Sequence, residues 1–166
     1  MATLSAALIA TAWADTATPP SREAAHHDSL VGAWHSQIRF STGALVELTD
    51  LEFMYVYNAG GTMTESSNYD GAPPVPPAYG VWRKTGEHRF ETKYAFYMTK
   101  GPGSFDELAK GGGWLPTGHG VLTEQITLAD DGNTYTSTVS FAAFDKSGKP
   151  MTFGGEGTGT ATRMDF

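Results

Sequence analysis

The sequence contains no cysteine in its 166 residues. A disulfide framework and a thiolate metal site are therefore both excluded. Basic residues are also few, because 11 Lys and Arg stand against 18 Asp and Glu, for a formal charge of −7. Since so acidic a chain opposes binding to a phosphate backbone, we expect no nucleic-acid partner. A chain of this length favours a single domain, and its stability must come from one hydrophobic core.

Long apolar runs are missing as well. The run at 4–12 is too short to cross a bilayer, so we expect no stable membrane insertion. Ala12-Trp13-Ala14 follows it, and this A-x-A pattern is typical of signal-peptide cleavage, although no Lys or Arg precedes Arg22. We interpret residues 1–29 as a signal-peptide remnant and flexible leader, and residues 30–166 as the folded domain. This interpretation predicts a secreted or periplasmic protein, with a cytoplasmic location as the alternative.

What the sequence has in quantity is glycine and aromatic side chains. There are 20 glycines, 12% of the residues are aromatic and only 17% are charged, which favours short strands joined by tight turns. Segments of alternating polarity recur between residues 32 and 164, separated by turn signals such as Asn58-Ala59-Gly60-Gly61, and we count eight strands. An open sheet would leave two exposed edges, whereas closure removes them. We therefore predict an all-β domain, a single closed antiparallel up-and-down barrel of about eight strands.

Alternation also predicts which side chains point inward. In the first strand Trp34, Ile38 and Phe40 share one face, and His35 lies on the other. The strands around residues 51–57 and 78–84 carry apolar residues on both faces, so the pattern leaves their inner faces open. Residues 99–118 break the period and predict an unusually long loop, with a short helical turn at 105–110.

Two sites at the ends of the domain carry a resemblance to a known family. Gly32-Ala33-Trp34 forms a Gly-x-Trp at the first strand, and Arg163 lies near the end of the last. With the hairpin pattern between them, the chain resembles the lipocalin and calycin superfamily. The resemblance implies a lipocalin-like barrel in which Trp34 closes the floor and Arg163 packs across its face, a contact worth about 1 kcal/mol.

Glu124 is the candidate catalytic residue. It has the same parity as Leu122 and Ile126, so a regular strand turns its carboxyl toward the apolar side. Burial would raise its pKa, as suits a general acid or base or an anchor for a polar ligand group. The alternatives are a Glu at the barrel rim, or one neutralised by an interior arginine such as Arg83. We expect Glu124→Gln to preserve folding while weakening ligand binding or turnover.

Aromatic and flexible side chains at strand spacing supply the candidate ligand-binding residues. Phenol rings orient a ligand by hydrogen bonds while their faces give apolar contact, and methionine adapts to irregular shapes. The alternative is plain core packing. The residues are Tyr55, Tyr57, Tyr79, Arg83, Tyr94, Phe96, Met98 and Phe141.

Metal and cofactor signals are weak. No two histidines have ligand spacing, and His119, between two glycines, is either near the barrel mouth or simply in solvent. No zinc-protease motif, nucleophile elbow or dinucleotide fingerprint occurs. We expect no cofactor and no metal.

Three functions remain open at this point. The first is binding of a small hydrophobic or aromatic molecule in the barrel, covered by the 99–118 loop. The second is a cofactor-free barrel enzyme, a cyclase, isomerase or dehydratase acting on a small apolar substrate. The third is a structural domain with a filled interior. The ligand's identity and the oligomeric state do not follow from the sequence.

Overall fold

The domain is a closed eight-stranded barrel, as predicted. The computed structural model describes residues 28–68, 77–110 and 115–165, and the side chain at 108 is not described; residues 1–27 of the proposed leader lie outside these ranges. Each strand pairs antiparallel with its neighbours in sequence, and β1 pairs with β8. The elements are β1 Gly32–Phe40, β2 Leu51–Tyr57, β3 Thr62–Ser67, β4 Ala78–Gly86, β5 Arg89–Lys100, α1 Phe105–Ala109, β6 Leu115–Leu128, β7 Thr134–Asp145 and β8 Pro150–Arg163.

One end of the barrel, the floor, is closed by Trp34 and Arg163. Trp34 is fully buried, and the Arg163 guanidinium carbon lies 4.2 Å from the centre of its ring, which confirms the predicted contact. The Trp34 indole donates to the Leu30 carbonyl at 2.9 Å. Arg163 itself donates to the carbonyls of Ser29, Val31 and Gly132, so the segment before β1 and the end of β8 are held together.

At the opposite end, the mouth, β1 leads to β2, β3 to β4, β5 to β6 and β7 to β8, whereas β2–β3, β4–β5 and β6–β7 are joined at the floor. Three of the mouth connections, numbered 41–50, 68–77 and 101–114, are longer in sequence than any at the floor. Loops of this length on a rigid barrel are where binding functions concentrate.

The burial pattern shows which residues of β2 and β4 point into the barrel. In β2 the odd positions, Leu51 to Tyr57, are buried. In β4 the inner positions are Ala78, Gly80 and Trp82. A Cβ at Gly80 would lie 2.3 Å from the Lys93 carbonyl oxygen, so glycine is required for β4 to pack this closely on β5.

The boundaries of the 99–118 loop were predicted wrongly. β5 continues to Lys100 and β6 begins at Leu115, so the connection is shorter, while α1 confirms the helical turn within it. The register shifts between Met98 and Thr99, and Pro116 then lies opposite Thr99. Because a bulge accommodates a proline that a regular ladder would not, alternation alone could not follow the strand through this point.

Candidate functional site

The centre of the barrel holds a carboxyl surrounded by hydroxyls. Glu124 on β6 is fully buried, as its parity predicted. Tyr55 on β2 and Tyr94 on β5 donate to its Oε1 at 2.8 and 2.9 Å. Ser137 on β7 donates to its Oε2 at 2.8 Å. Three other strands thus supply hydrogen-bond partners to this one side chain, and all of these partners are neutral.

The three oxygens on the Oε1 side form a closed triangle. The Tyr55 and Tyr94 hydroxyls lie 2.9 Å from each other as well as within hydrogen-bond distance of Glu124 Oε1. Each phenol has a single hydrogen, so the two tyrosines supply hydrogens for only two of the three contacts. The third contact becomes a hydrogen bond when Glu124 is protonated. The triangle can therefore accommodate the neutral carboxylic acid as well as the carboxylate.

Burial, and not hydrogen bonding, favours the neutral form of Glu124. Burial raises the pKa of Glu124, and the hydrogen bonds from Tyr55, Ser137 and Tyr94 only partly oppose this effect. Burial, reinforced by the Glu124 charge, also raises the pKa of Tyr55 and Tyr94 well above the usual value for a phenol. The tyrosines thus act as neutral donors, and Glu124 can take up or release a proton.

This arrangement predicts a specific pH dependence of stability. Below the ordinary Glu pKa of 4.5, Glu124 is protonated in both the folded and the unfolded chain. As pH rises above that value the unfolded chain releases the proton first, so the folded state loses stability, by at most about 1.4 kcal/mol per pH unit, until Glu124 also ionises in the folded barrel. We expect the free energy of unfolding of Glu124→Gln minus that of the wild type to increase across this window and then level off, measured by urea denaturation at each pH.

The comparison with Glu124→Gln isolates this effect. Asp28, Glu91 and Asp145 have pKa values lowered by hydrogen bonds, led by Lys84, Arg83 and Ser147 respectively. As pH falls toward the lowered pKa values, protonation of these three carboxyls destabilises the folded state. This effect is equal in the wild type and in Glu124→Gln. A difference between the two proteins that does not change with pH would show that Glu124 has the same pKa folded and unfolded.

A second carboxyl, that of Glu65, lies on the inner face, and the sequence pattern was not used to predict it. Glu65 on β3 is buried, and its charge contributes, after burial and Glu124, to the raised pKa of Tyr94. It shares parity with the buried Met63, the same signal that identified Glu124. Ser137, between the inward Tyr135 and Val139, could have been found in the same way.

The predicted ligand-binding residues divide between the two faces of the wall. Tyr55, Tyr57, Tyr94 and Phe141 are buried in the interior, and Phe96 and Met98 are partly buried against the same core. Tyr79, 63% exposed, and Arg83 point outward, because the inner face of β4 belongs to its even positions. Arg83 pairs with Glu91 on the outer surface. The interpretation that Arg83 neutralises Glu124 inside the barrel is therefore wrong.

The mouth half of the interior is lined with phenylalanine. Phe96 and Phe141 stack with ring centres 6.0 Å apart, and Phe40 and Phe153 meet the Phe141 ring edge-on. A Cβ at Gly120 would lie 2.4 Å from the Phe96 ring, so the absent side chain makes room for this stack. The polar cluster around Glu124 therefore has an aromatic layer between it and the mouth.

The outer surface has a groove of about 540 Å³ across β1, β6, β7 and β8. Its lining includes His35, Gln37 and several threonines, and none of the predicted site residues lines it. His119 stacks on Phe144 with ring centres 5.1 Å apart. Within residues 28–68, 77–110 and 115–165, no group of three or more acidic or histidine side chains could hold a metal ion.

Comparisons with known proteins give no assignment. In the part of the chain that the structure describes, no helix has the length and apolar character needed to cross a membrane. The closed eight-stranded antiparallel barrel is consistent with a calycin-like fold. The chain matches no protein-family model, no curated protein and no solved structure.

Proposed function

We propose that the barrel binds a small apolar or aromatic molecule carrying a neutral polar group, in the manner of a lipocalin-like carrier. The observation that carries the proposal is the convergence of Tyr55, Tyr94 and Ser137 on the buried Glu124. Binding sites for small molecules combine an apolar lining with a few converging polar groups, and this is the composition of the interior.

The two ends of the barrel differ, and the difference indicates the end at which a ligand would enter. Trp34, Arg163 and Leu30 close the floor, whereas the longer connections lie around the mouth. A ligand that enters at the mouth meets Phe96 and Phe141 before it reaches Glu124. Its apolar body would pack on the aromatic rings, and its polar group would reach the carboxyl.

The chemistry of the cluster disfavours an anionic ligand and suits an uncharged one. An anion beside the buried Glu124 and Glu65 would have no counter-ion, because the hydrogen-bond partners of Glu124 are all neutral. Glu124 Oε2 accepts a hydrogen bond from Ser137, and a carboxyl oxygen has two lone pairs. A hydroxyl group on the ligand fits this acceptor.

Toluene and p-cresol test the proposal, because they differ by one hydroxyl. We expect both to bind, and p-cresol to bind about tenfold more tightly through a hydrogen bond to the cluster. Titrations followed by two-dimensional NMR should shift the amide signals of Tyr94 and Glu124. In Glu124→Gln, which keeps the shape but has one acceptor oxygen in place of two, the preference for p-cresol should fall to about twofold.

Tyr97→Phe is the matched control. Tyr97 is exposed on the outer face, and the substitution removes only its hydroxyl group, a change as small as Glu124→Gln. It should leave both affinities unchanged. The proposal would be contradicted if neither compound bound. It would also be contradicted if the amide signals shifted only in the outer groove, at residues such as Thr136 and Thr160. Binding with an undiminished preference in Glu124→Gln would remove Glu124 from the site.

A cofactor-free enzyme is the second candidate function, favoured by one observation. A carboxyl of raised pKa that contacts two phenols can transfer a proton to or from an apolar substrate, as a cyclase, isomerase or dehydratase requires. Glu124→Gln separates the two functions. A binder loses part of its affinity, whereas an enzyme that uses Glu124 for proton transfer loses turnover while its substrate still binds.

A further inference from the structure

A second group of hydroxyls lies between the Glu124 cluster and the floor. Ser36 on β1, Tyr57 on β2 and Tyr135 on β7 are all at most 2% exposed. None of the three hydroxyls has a hydrogen-bond partner among the described residues. Buried hydroxyls in folded proteins are nearly always hydrogen-bonded, so an unpartnered group of three calls for an explanation.

The three hydroxyls belong to one cluster. Burial raises the pKa of Tyr57 and Tyr135 well above the usual value; the nearby Tyr135 raises the pKa of Tyr57 further, whereas the nearby Tyr57 and Ser36 hydroxyls partly lower the pKa of Tyr135. They are thus near enough to interact but do not satisfy one another by hydrogen bonds. A single additional oxygen between them would provide each with a partner.

The cluster lies one layer below Glu124. Tyr57 follows Tyr55 by two residues on β2, and Tyr135 precedes Ser137 by two residues on β7, with all four side chains pointing inward. Two residues along an antiparallel strand span about 7 Å. The Cα atoms that carry the two polar layers are therefore about 7 Å apart along β2 and β7, a distance comparable with the length of one six-membered ring and its substituents.

We infer that Ser36, Tyr57 and Tyr135 form a second polar subsite, which takes one neutral hydroxyl group at the far end of the ligand. The inference rests on the proposed function and narrows its ligand class to small aromatic or alicyclic molecules with oxygen at both ends. Serine and tyrosine hydroxyls both donate and accept, which matches an alcohol or phenol. A carboxylate is disfavoured by the nearby Glu124 and by the absence of a cationic side chain among these three residues.

The same chemistry could be supplied by an internal water, and the experiment must distinguish the two sources. Buried waters commonly satisfy such groups, and a ligand hydroxyl that replaces one must reproduce its hydrogen bonds to gain affinity. A ligand subsite therefore makes a second hydroxyl on the ligand favourable. A site for water alone does not.

The test extends the NMR titrations to 4-hydroxybenzyl alcohol, which carries oxygen at both ends of the ring. We expect it to bind about fivefold more tightly than p-cresol in the wild type. The Tyr57→Phe/Tyr135→Phe double variant should lose this gain and keep the preference of p-cresol over toluene, and Tyr97→Phe should keep both. If the double variant does not fold, Ser36→Ala and Tyr57→Phe are measured singly and should each reduce the gain.

The outcomes separate the two proposals. If toluene and p-cresol both fail to bind, the proposed function itself is wrong. If they bind but the second hydroxyl gives no gain, or the gain survives in the double variant, the cluster holds an internal water only and the second subsite is wrong.

Discussion

Replacing Trp34 with alanine is expected to lower the free energy of unfolding by about 3 to 5 kcal/mol, the range for removing a large buried aromatic side chain. Trp34 is fully buried. The centre of its ring lies 4.9 Å from the centre of the Tyr135 ring, and the Arg163 guanidinium packs over it. The substitution also removes the indole hydrogen bond to the Leu30 carbonyl. Urea denaturation monitored by circular dichroism measures the loss.

Tyr79→Ala is the control for this substitution. Tyr79 is an aromatic residue of comparable size on the outer face of the same barrel, so its loss should change stability by no more than about 0.5 kcal/mol. A loss below about 1 kcal/mol for Trp34→Ala would contradict the assignment of Trp34 as the residue that closes the floor.

Replacing Glu124 with leucine is expected to lower stability by about 3 kcal/mol, although leucine is apolar and the site is fully buried. Ser137 and one of the two tyrosine hydroxyls would lose their acceptor, because Tyr55 and Tyr94 can still bond each other. Each buried hydroxyl left without a partner costs about 1 to 3 kcal/mol. Thermal and urea unfolding of the variant measure the effect.

Glu124→Gln is the matched variant, since the amide keeps hydrogen-bonding atoms at both ends. At pH values below 4.5, where the wild-type carboxyl is protonated, it should stay within about 1 kcal/mol of the wild type. A leucine variant as stable as the glutamine variant at that pH would show that the hydrogen bonds to Glu124 do not support the fold.

The sequence was sufficient for the fold wherever a strand places apolar residues on one side only. Trp34, Ile38 and Phe40 set the inner face of β1, and the same parity placed Glu124 inside. The Gly-x-Trp and the late arginine together indicated closure, because Trp34 and Arg163 become neighbours only when β1 pairs with β8.

The pattern failed where both faces carry apolar side chains. Tyr79 and Val81 on the outer face are as apolar as the inner residues Ala78, Gly80 and Trp82, so hydrophobicity left the inner face of β4 undecided, and Tyr79 and Arg83 were assigned to the interior wrongly. The choice was made instead by close packing at Gly80 against β5, which is a property of the folded barrel.

The partners of Glu124 could not be predicted at all. Tyr55 is 69 positions away from Glu124 and Tyr94 is 30 positions away, and the two tyrosines lie on different strands. Which inward side chains meet across a barrel depends on its strand tilt and stagger. Those quantities are set by the whole set of pairings and by bulges such as the one at Met98 and Thr99.

The pairing of β1 with β8 also determines the order in which the barrel can form. Every other pair of strands is a hairpin between neighbours in sequence, whereas Trp34 and Arg163 are brought together across nearly the whole domain. Forming such a long-range contact has the largest entropic cost of loop closure among the strand pairings. The β1–β8 pair therefore forms late in folding. During synthesis the first strand must wait with an unpaired edge until the last strand has left the ribosome, and the nascent chain is open to edge-to-edge aggregation for that interval.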